Sequence, residues 1–268
     1  MMIDEDVCRL LSAQEGLPLD FVVKEFYMMA LFRDLLQKGI MGSMIFKGGT
    51  AINSIYLKEG YRFSEDLDFD FVGKDWPNAF KVLSSKSADF IAIEARRILN
   101  GNVVQIDFRY KTAWGKMDRI RIDVNIMPNV NTMEPVVPRE ISSPFGGFGA
   151  GNVQTYGLSD LLARKLMALN SRGEGKDIYD ASNSFDLTSR QKLLRSIILL
   201  MKPRTKYQAI RFISETIEKL KSVDCKKVRN ITNPYIPLKN RPPDWQIFID
   251  TLIIKLEGLL KVAKSHRA

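Results

Sequence analysis

Six consecutive residues, Asp66-Leu67-Asp68-Phe69-Asp70-Phe71, alternate a carboxylate with a bulky apolar side chain. Side chains of an extended strand point to opposite faces with a period of two, so the pattern predicts a strand that sends Leu67, Phe69 and Phe71 into a core and lines the other face with Asp66, Asp68 and Asp70. A solvated face of an antiparallel sheet is the plain alternative. Asp is nevertheless depleted in strands, and aligned carboxylates repel one another unless a positive charge stands among them. Mg²⁺ suits that position because it takes hard oxygen ligands and is shared between a few carboxylates and substrate phosphates.

The residues just before this strand sharpen the reading. Met44-Ile45-Phe46 is a short apolar strand, Gly48-Gly49 interrupts it, and Thr50 is predicted to cap a helix running through Asn53, Ile55 and Tyr56. Backbone N–H groups at such a break can face a phosphate. A glycine pair alone marks an ordinary turn, but Lys47-Gly48-Gly49-Thr50 followed by Arg62-Phe63-Ser64 and the acidic strand pairs a phosphate-approaching turn with metal-binding carboxylates.

Composition removes several chemistries. The only histidine is His266, in a basic tail, which excludes Ser-His-Asp and Cys-His catalysis and histidine-rich metal sites. The two cysteines, Cys8 and Cys225, are too few for a disulfide framework or a Cys-rich zinc site. No run of about 18 apolar residues is present and the acidic N-terminus is unlike a signal peptide, so a cytoplasmic protein without a membrane partner is expected. Length allows one large domain or two small ones, and charge divides the chain. Residues 1–154 carry 18 Lys and Arg against 20 Asp and Glu, whereas residues 155–268 carry 22 against 11. An acidic, metal-binding part joined to a cationic part suits an enzyme that grips a polyanion with one and reacts on it with the other, although solubility alone accounts for a charge of this size.

The predicted fold class is α+β: a mixed sheet flanked by helices in residues 1–154, the catalytic domain, followed by a helical bundle in 155–268. Helical periodicity runs from Leu19 to Lys38; Trp76-Pro77-Asn78 opens a helix predicted to reach about Leu99; two strands follow, around Val104–Tyr110 and Ile120–Ile126. The acidic strand needs a further carboxylate from a neighbour, and Asp123, in phase with Arg119 and Arg121 on an apolar strand, is preferred over Asp107. Residues 138–151, with Pro138, Pro144 and a glycine-rich run, read as a loop. A helix from Leu158 places Lys165 at the edge of its apolar face, where it either snorkels to water or binds phosphate. Lys176-Asp177 and Asp180 stand at a helix start, where acidic residues usually complement the dipole. Further helices are predicted near 188–202, 204–221 and 244–264.

Gly48-Gly49-Thr50-Ala51, Arg62-x-Ser64-x-Asp66-Leu67-Asp68-Phe69, Lys165-x-x-Ala168-x-x-x-Arg172 and Lys176-Asp177-x-x-Asp180 together resemble the AbiEii/AbiGii-type nucleotidyltransferase toxins, which include the MenT toxins and sit within the DNA polymerase β-like superfamily. The resemblance implies a nucleotidyltransferase-like sheet and metal-dependent transfer of a nucleoside monophosphate from a nucleoside triphosphate (NTP) to an acceptor hydroxyl. It gives Asp66 and Asp68, with Asp123, to two Mg²⁺ ions, Mn²⁺ being a possible substitute. Lys47, Gly48, Gly49, Thr50, Arg62, Ser64, Lys165 and Asp177 fall to the nucleotide. The implied acceptor is RNA, plausibly tRNA, with a cognate antitoxin as a protein partner. The alternatives are transfer to a small molecule or a protein, and a non-catalytic nucleotide-binding scaffold. Many relatives carry Arg-Asp where this chain has Lys176-Asp177, and Lys lacks the bidentate fork.

Overall fold

A computed structural model describes residues 4–57, 59–85, 87, 89–98, 101–145 and 149–265. The chain divides into two compact units: Met1–Val130 with Val136–Thr155 and Tyr235–Lys239, and Asn131–Pro135 with Tyr156–Pro234 and Asn240–Ala268. His266 lies outside the described residues.

The first unit holds helices α1 (Glu5–Glu15) and α2 (Leu19–Gln37), strand β1 (Met44–Lys47), the single turn α3 (Gly48–Ala51) continued as a π-turn over Ile52–Tyr56, strand β2 (Asp66–Phe71) and helix α4 (Trp76–Leu83). Strands β3 (Ala92–Ile98), β4 (Val103–Lys111), β5 (Met117–Asn125), β6 (Val137–Ser142) and β7 (Gly149–Thr155) complete a mixed sheet in the order β3-β4-β5-β2-β1-β7-β6. β2 is central, antiparallel to β1 and parallel to β5. Its alternation resolves as the pattern requires: Leu67, Phe69 and Phe71 are buried. Phe32 of α2 meets Phe46 and Phe69 edge-on, with ring centroids 4.9 and 6.0 Å away, and Tyr27 stacks on Tyr110 of β4 at 3.7 Å. Each fully buried ring of this kind contributes roughly 1.5–3 kcal/mol. That burial seats α2 on the apolar face and leaves the aspartates on the other.

Two expectations fail here. The helix predicted from Trp76 to about Leu99 stops at Leu83, and the chain returns as β3, paired antiparallel to β4 from Ala92↔Arg109 to Ile98↔Val103. Phe90, Ile91 and Ile93 fit a helical stripe as well as a strand, and pairing to β4 decides. The loop predicted over 138–151 instead contains β6 and the start of β7, paired antiparallel. Pro138 is tolerated because β6 is an edge strand, where a missing N–H breaks no ladder.

The second unit is built from α5 (Leu158–Arg172), α6 (Gly175–Ser184), α7 (Arg190–Leu200), α8 (Lys206–Lys221), α9 (Cys225–Thr232) and α10 (Trp245–Ser265). Leu161, Leu162, Leu166 and Leu169 of α5 are buried, as are Ile249, Leu252, Leu256 and Leu259 of α10. Asp160, fully buried, accepts the backbone N–H groups of Met133 and Glu134 at 2.9 and 3.1 Å and so ties that short segment to α5. Among the described residues no helix is long and apolar enough to cross a membrane.

Glu25, on α2, is 5% exposed, and burial pushes its carboxyl up to about 8, opposed only in part by a hydrogen bond with Ser143. Between about pH 4.5 and 8 the unfolded chain has lost this proton and the folded one keeps it. Stability therefore falls as pH rises through that window and levels off above it. Glu25→Gln should raise stability at pH 8 by roughly 2–4 kcal/mol, since one pKa unit corresponds to about 1.4 kcal/mol, and thermal melts from pH 5 to 9 should show the gain shrinking toward pH 5. Parallel melting curves for the two proteins would refute the assignment.

Candidate active site

The register of three strands builds the acidic site. Asp68 of β2 stands between Lys47 of β1 and Asp123 of β5, while Asp66 pairs with Arg121 and Asp70 with Asn125. In-register side chains on adjacent strands share a face with Cβ atoms about 5 Å apart. Asp68 and Asp123 are thus immediate neighbours, with Asp66 one pleat further along the same strand. Accessibility grades along β2: Asp70 is buried and ion-paired with Lys47, Asp68 is half-buried and Asp66 is exposed.

The two candidates for the neighbouring carboxylate are treated differently. Asp123 is half-buried and accepts one hydrogen bond, from Gln105 Nε2 to Oδ1 at 2.9 Å. Asp107 lies on β4, one strand further from β2, and both its oxygens are committed, Oδ1 to Arg121 at 3.2 Å and Oδ2 to Arg119 at 3.1 Å. Gln105, opposite Asp123 in the ladder, was legible as a polar residue in phase with Asp107 on an apolar strand, but its partner was not.

Gly48 supports this site through its missing side chain. Its φ is 78°, in the left-handed region, and a Cβ built on it would come 2.0 Å from Asp68 Oδ2. Only glycine lets the chain turn there with the Asp68 carboxylate against its Cα. Thr50 does not cap the helix as expected. The first turn begins at Gly48, and the Thr50 hydroxyl donates to the Asp66 carbonyl at 2.6 Å, tying the turn to β2. Asn53 donates to the Gly49 carbonyl at 2.8 Å and accepts the Arg62 N–H at 2.7 Å, linking the same turn to the segment before β2. The Arg62 side chain is buried and donates to the Phe63 carbonyl at 2.9 Å. Ser64 is half-buried and lines, with Glu25, Thr50 and Arg62, a space of about 10 Å³, room for about one water. A wider polar groove of about 540 Å³ runs between the π-turn and β6, past Asn53, Ser54, Arg139 and Asn152. Reading residues 138–151 as a loop concealed it.

In the second unit Lys165 is buried, and its ammonium reaches Asp177 Oδ1 at 3.0 Å and Asp180 Oδ2 at 3.1 Å. Arg172 adds a bidentate pair to Asp177, at 2.7 and 2.9 Å. Burial alone would raise the Asp177 carboxyl, but the hydrogen bonds and charges of Arg172 and Lys165 outweigh it and hold the group below its ordinary value. Lys165 therefore does not snorkel to water. Asp177 is an ion-paired group as well as a residue of the first turn of α6.

Among the described residues no three His, Cys, Asp or Glu side chains are gathered closely enough to hold a metal ion by themselves. The neighbouring Asp68 and Asp123 with Asp66 form an open, oxygen-only donor set, which fits Mg²⁺ shared with substrate phosphates rather than a metal enclosed by protein.

A family model described as nucleotidyl transferase AbiEii toxin, type IV toxin–antitoxin system, matches residues 30–254. No curated protein matches the sequence. Among solved structures, the fold is similar to MenT4, a nucleotidyltransferase toxin from Mycobacterium tuberculosis, with a TM-score of 0.63 at 16% identity over 97% of this chain and 90% of that one. It is also similar to JHP933 from Helicobacter pylori, with a TM-score of 0.60 at 15% identity over 92% and 95%. The nucleotidyltransferase-like sheet with C-terminal helices is thus a shared fold.

Gly48→Ala should lower the melting temperature by about 2–6 °C, from the left-handed backbone and the displaced Asp68. It should also lose any stabilisation that Mg²⁺ and nucleotide give the wild type, and melts with and without both would report the two effects separately. Lys165→Met strands buried carboxylates and should cost about 3–5 kcal/mol in urea unfolding. Arg172→Ala, at a half-exposed guanidinium, should cost distinctly less; equal losses would contradict the description of Lys165 as the buried partner.

Proposed function

The chain belongs to the nucleotidyl transferase AbiEii toxin family of type IV toxin–antitoxin systems, and on that premise we propose that it transfers a nucleoside monophosphate from an NTP to a hydroxyl of RNA, tRNA being the favoured acceptor. The observation that carries the reading is the register that stands Asp68 beside Asp123, with Asp66 on the same face and the Gly48 turn packed against Asp68.

In this proposal Asp66, Asp68 and Asp123 hold two Mg²⁺ ions. When bound, these supply Lewis-acid chemistry at the α-phosphate, lower the pKa of the acceptor hydroxyl and stabilise departing pyrophosphate. The chain's own residues position the reactants. The Gly48-Gly49 turn offers backbone N–H groups to the polyphosphate, and Asp68 is held in one place by the glycine above it. Gln105 orients Asp123. Lys47 neutralises Asp70, so the buried end of the strand adds no net charge to the site. The acceptor hydroxyl gives up its proton to solvent water as its oxygen bonds to the α-phosphorus, the bond from that phosphorus to the oxygen bridging to the β-phosphate breaks, and pyrophosphate leaves with that electron pair. No histidine is required for this displacement.

Lys165 enters as the cation that Asp177 and Asp180 orient, and the family resemblance gives it the nucleotide phosphates. Thr50 and Arg62 take supporting roles, because the Thr50 hydroxyl and the buried Arg62 bond to backbone carbonyls. Ser64 stays with the phosphates. The protein acts in the cytoplasm, restrained by an antitoxin encoded for that purpose.

Wild type and Asp68→Ala, incubated with total tRNA, Mg²⁺ and each α-³²P-labelled NTP in turn, should give labelled tRNA only with the wild type, only with Mg²⁺ or Mn²⁺ present, and with one nucleotide preferred. The substitution should lower the rate at least about a hundredfold, since metal-borne charge stabilisation amounts to several kcal/mol. Label on protein or on a small molecule would replace the acceptor, and equal labelling by both proteins would remove the acidic site from the mechanism.

A further inference from the structure

Several cations of the helical unit are ion-paired: Lys192 with Glu134, Arg211 with Glu215, Lys221 with Glu218 and Lys255 with Asp186. The connection from α7 to α8 combines unpaired cations with an exposed aromatic ring. Lys202 and Arg204 are exposed and Lys206 is partly so, and among the described residues none of the three forms an ion pair or hydrogen bond through its side chain. The next residue, Tyr207, is 72% exposed, the most exposed large aromatic side chain among the described residues. The segment is also structured. Met201 N–H donates to the Ile198 carbonyl at 3.2 Å, Thr205 N–H to the Pro203 carbonyl at 2.9 Å, and the Thr205 hydroxyl caps α8 by accepting the Gln208 N–H at 3.2 Å.

Helix energetics do not explain this composition. The first turn of a helix favours carboxylates, and α8, like α7, α9 and α10, has none there; it begins with Lys206, which the helix dipole does not favour. Three cations within five residues, none of them ion-paired, repel one another, and a largely exposed phenol ring leaves its apolar surface in water. A single-stranded nucleic acid relieves both conditions at once: phosphates meet the cations, and a base covers the ring.

We propose that the α7–α8 connection is an RNA-strand contact, in which Lys202, Arg204 and Lys206 take backbone phosphates and Tyr207 stacks on an unpaired base. The inference rests on RNA being the acceptor and adds where, and in what form, this unit meets it. An unpaired base is required, so the contacted stretch is a loop or an end rather than a duplex, whose bases are already stacked.

Fluorescence anisotropy of labelled total tRNA, titrated across salt concentrations, tests this with four variants of the full chain. Tyr207→Ala should weaken binding about 5- to 150-fold, the range of one base–aromatic stack, and Tyr207→Phe should restore most of it. Lys202→Glu/Arg204→Glu/Lys206→Glu should weaken binding and flatten the dependence of log K on log salt by about two to three. Lys261→Glu/Lys264→Glu, which removes two unpaired exposed cations of α10 with no aromatic between them, should change binding less than about threefold. Circular dichroism confirms that each variant is folded.

The inference fails if Tyr207→Ala binds like the wild type, or if the α10 variant loses as much as the connection variant, because charge anywhere would then suffice. It also fails if the connection variant loses binding to anionic phosphatidylserine vesicles but not to tRNA. Wild type that binds no tRNA at moderate salt would remove the RNA acceptor itself, an outcome distinct from wild-type binding that ignores the connection.

Discussion

Carboxylate repulsion on the polar face of β2 is the constraint around which the sheet is arranged. Two like charges about 5 Å apart repel by roughly 3 kcal/mol at an effective dielectric of 20, so a strand carrying Asp66, Asp68 and Asp70 beside Asp123 needs compensation at each position. The compensation is uneven. Asp70, at the buried end, is matched by Lys47, and one strand beyond β5, on the same face, Asp107 is matched by two arginines. Asp123 receives a neutral hydrogen bond from Gln105, which fixes its direction without cancelling its charge. Asp123 thereby keeps its charge, held in direction next to Asp68 in the register of β2 and β5, which suits a site for divalent cations and their phosphates.

The helical unit solves an equivalent problem by the opposite arrangement. Lys165, Asp177 and Asp180 are buried and would be costly singly, but Arg172 brings the cluster to two charges of each sign, with hydrogen bonds between them. Such clusters are weak contributors to net stability, since desolvation offsets most of the attraction. What they supply is geometry: an ammonium seated on two carboxylates cannot rotate away. Asp177 tolerates burial as an anion because Arg172 spans the break between α5 and α6 and binds both its oxygens.

The parts legible in the sequence are those governed by local periodicity. The two-residue period of β2, the helix that became α2 and the leucine stripe of α5 each follow from spacing alone, and burial of Leu67, Phe69 and Leu166 is its direct consequence. The misreadings all turn on pairing between distant segments. Residues 90–98 satisfy a helical stripe and a strand equally until β4 supplies a partner. The glycine-rich stretch before β7 hid an edge strand because Pro138 marks loops and edges alike. Asp123 is preferred over Asp107 from the sequence, but each is a polar residue in phase on an apolar strand, so spacing alone does not say which strand lies beside β2. Strand order separates them, and it is a property of the whole sheet. Thr50 illustrates the smallest scale of the same limit: a threonine two residues past a glycine pair looks like a cap, and whether its hydroxyl serves the helix or the neighbouring strand depends on where that strand lies.

Gly48 unites the two motifs that the sequence presents separately. Read alone, the glycine pair is a turn whose backbone approaches a phosphate, and the acidic strand is a metal-binding edge. The short approach of Gly48 to Asp68 Oδ2 makes them a single device, because the same absent Cβ that allows the left-handed turn also leaves room for the carboxylate. The Thr50 hydroxyl on the Asp66 carbonyl fastens the other end of that contact. A turn held against β2 at both ends cannot shift relative to the aspartates, so the N–H groups that would meet a polyphosphate and the oxygens that would meet its cation keep a fixed separation. Pre-organisation of this kind, rather than any acid or base near neutrality, is what an in-line displacement asks of a protein.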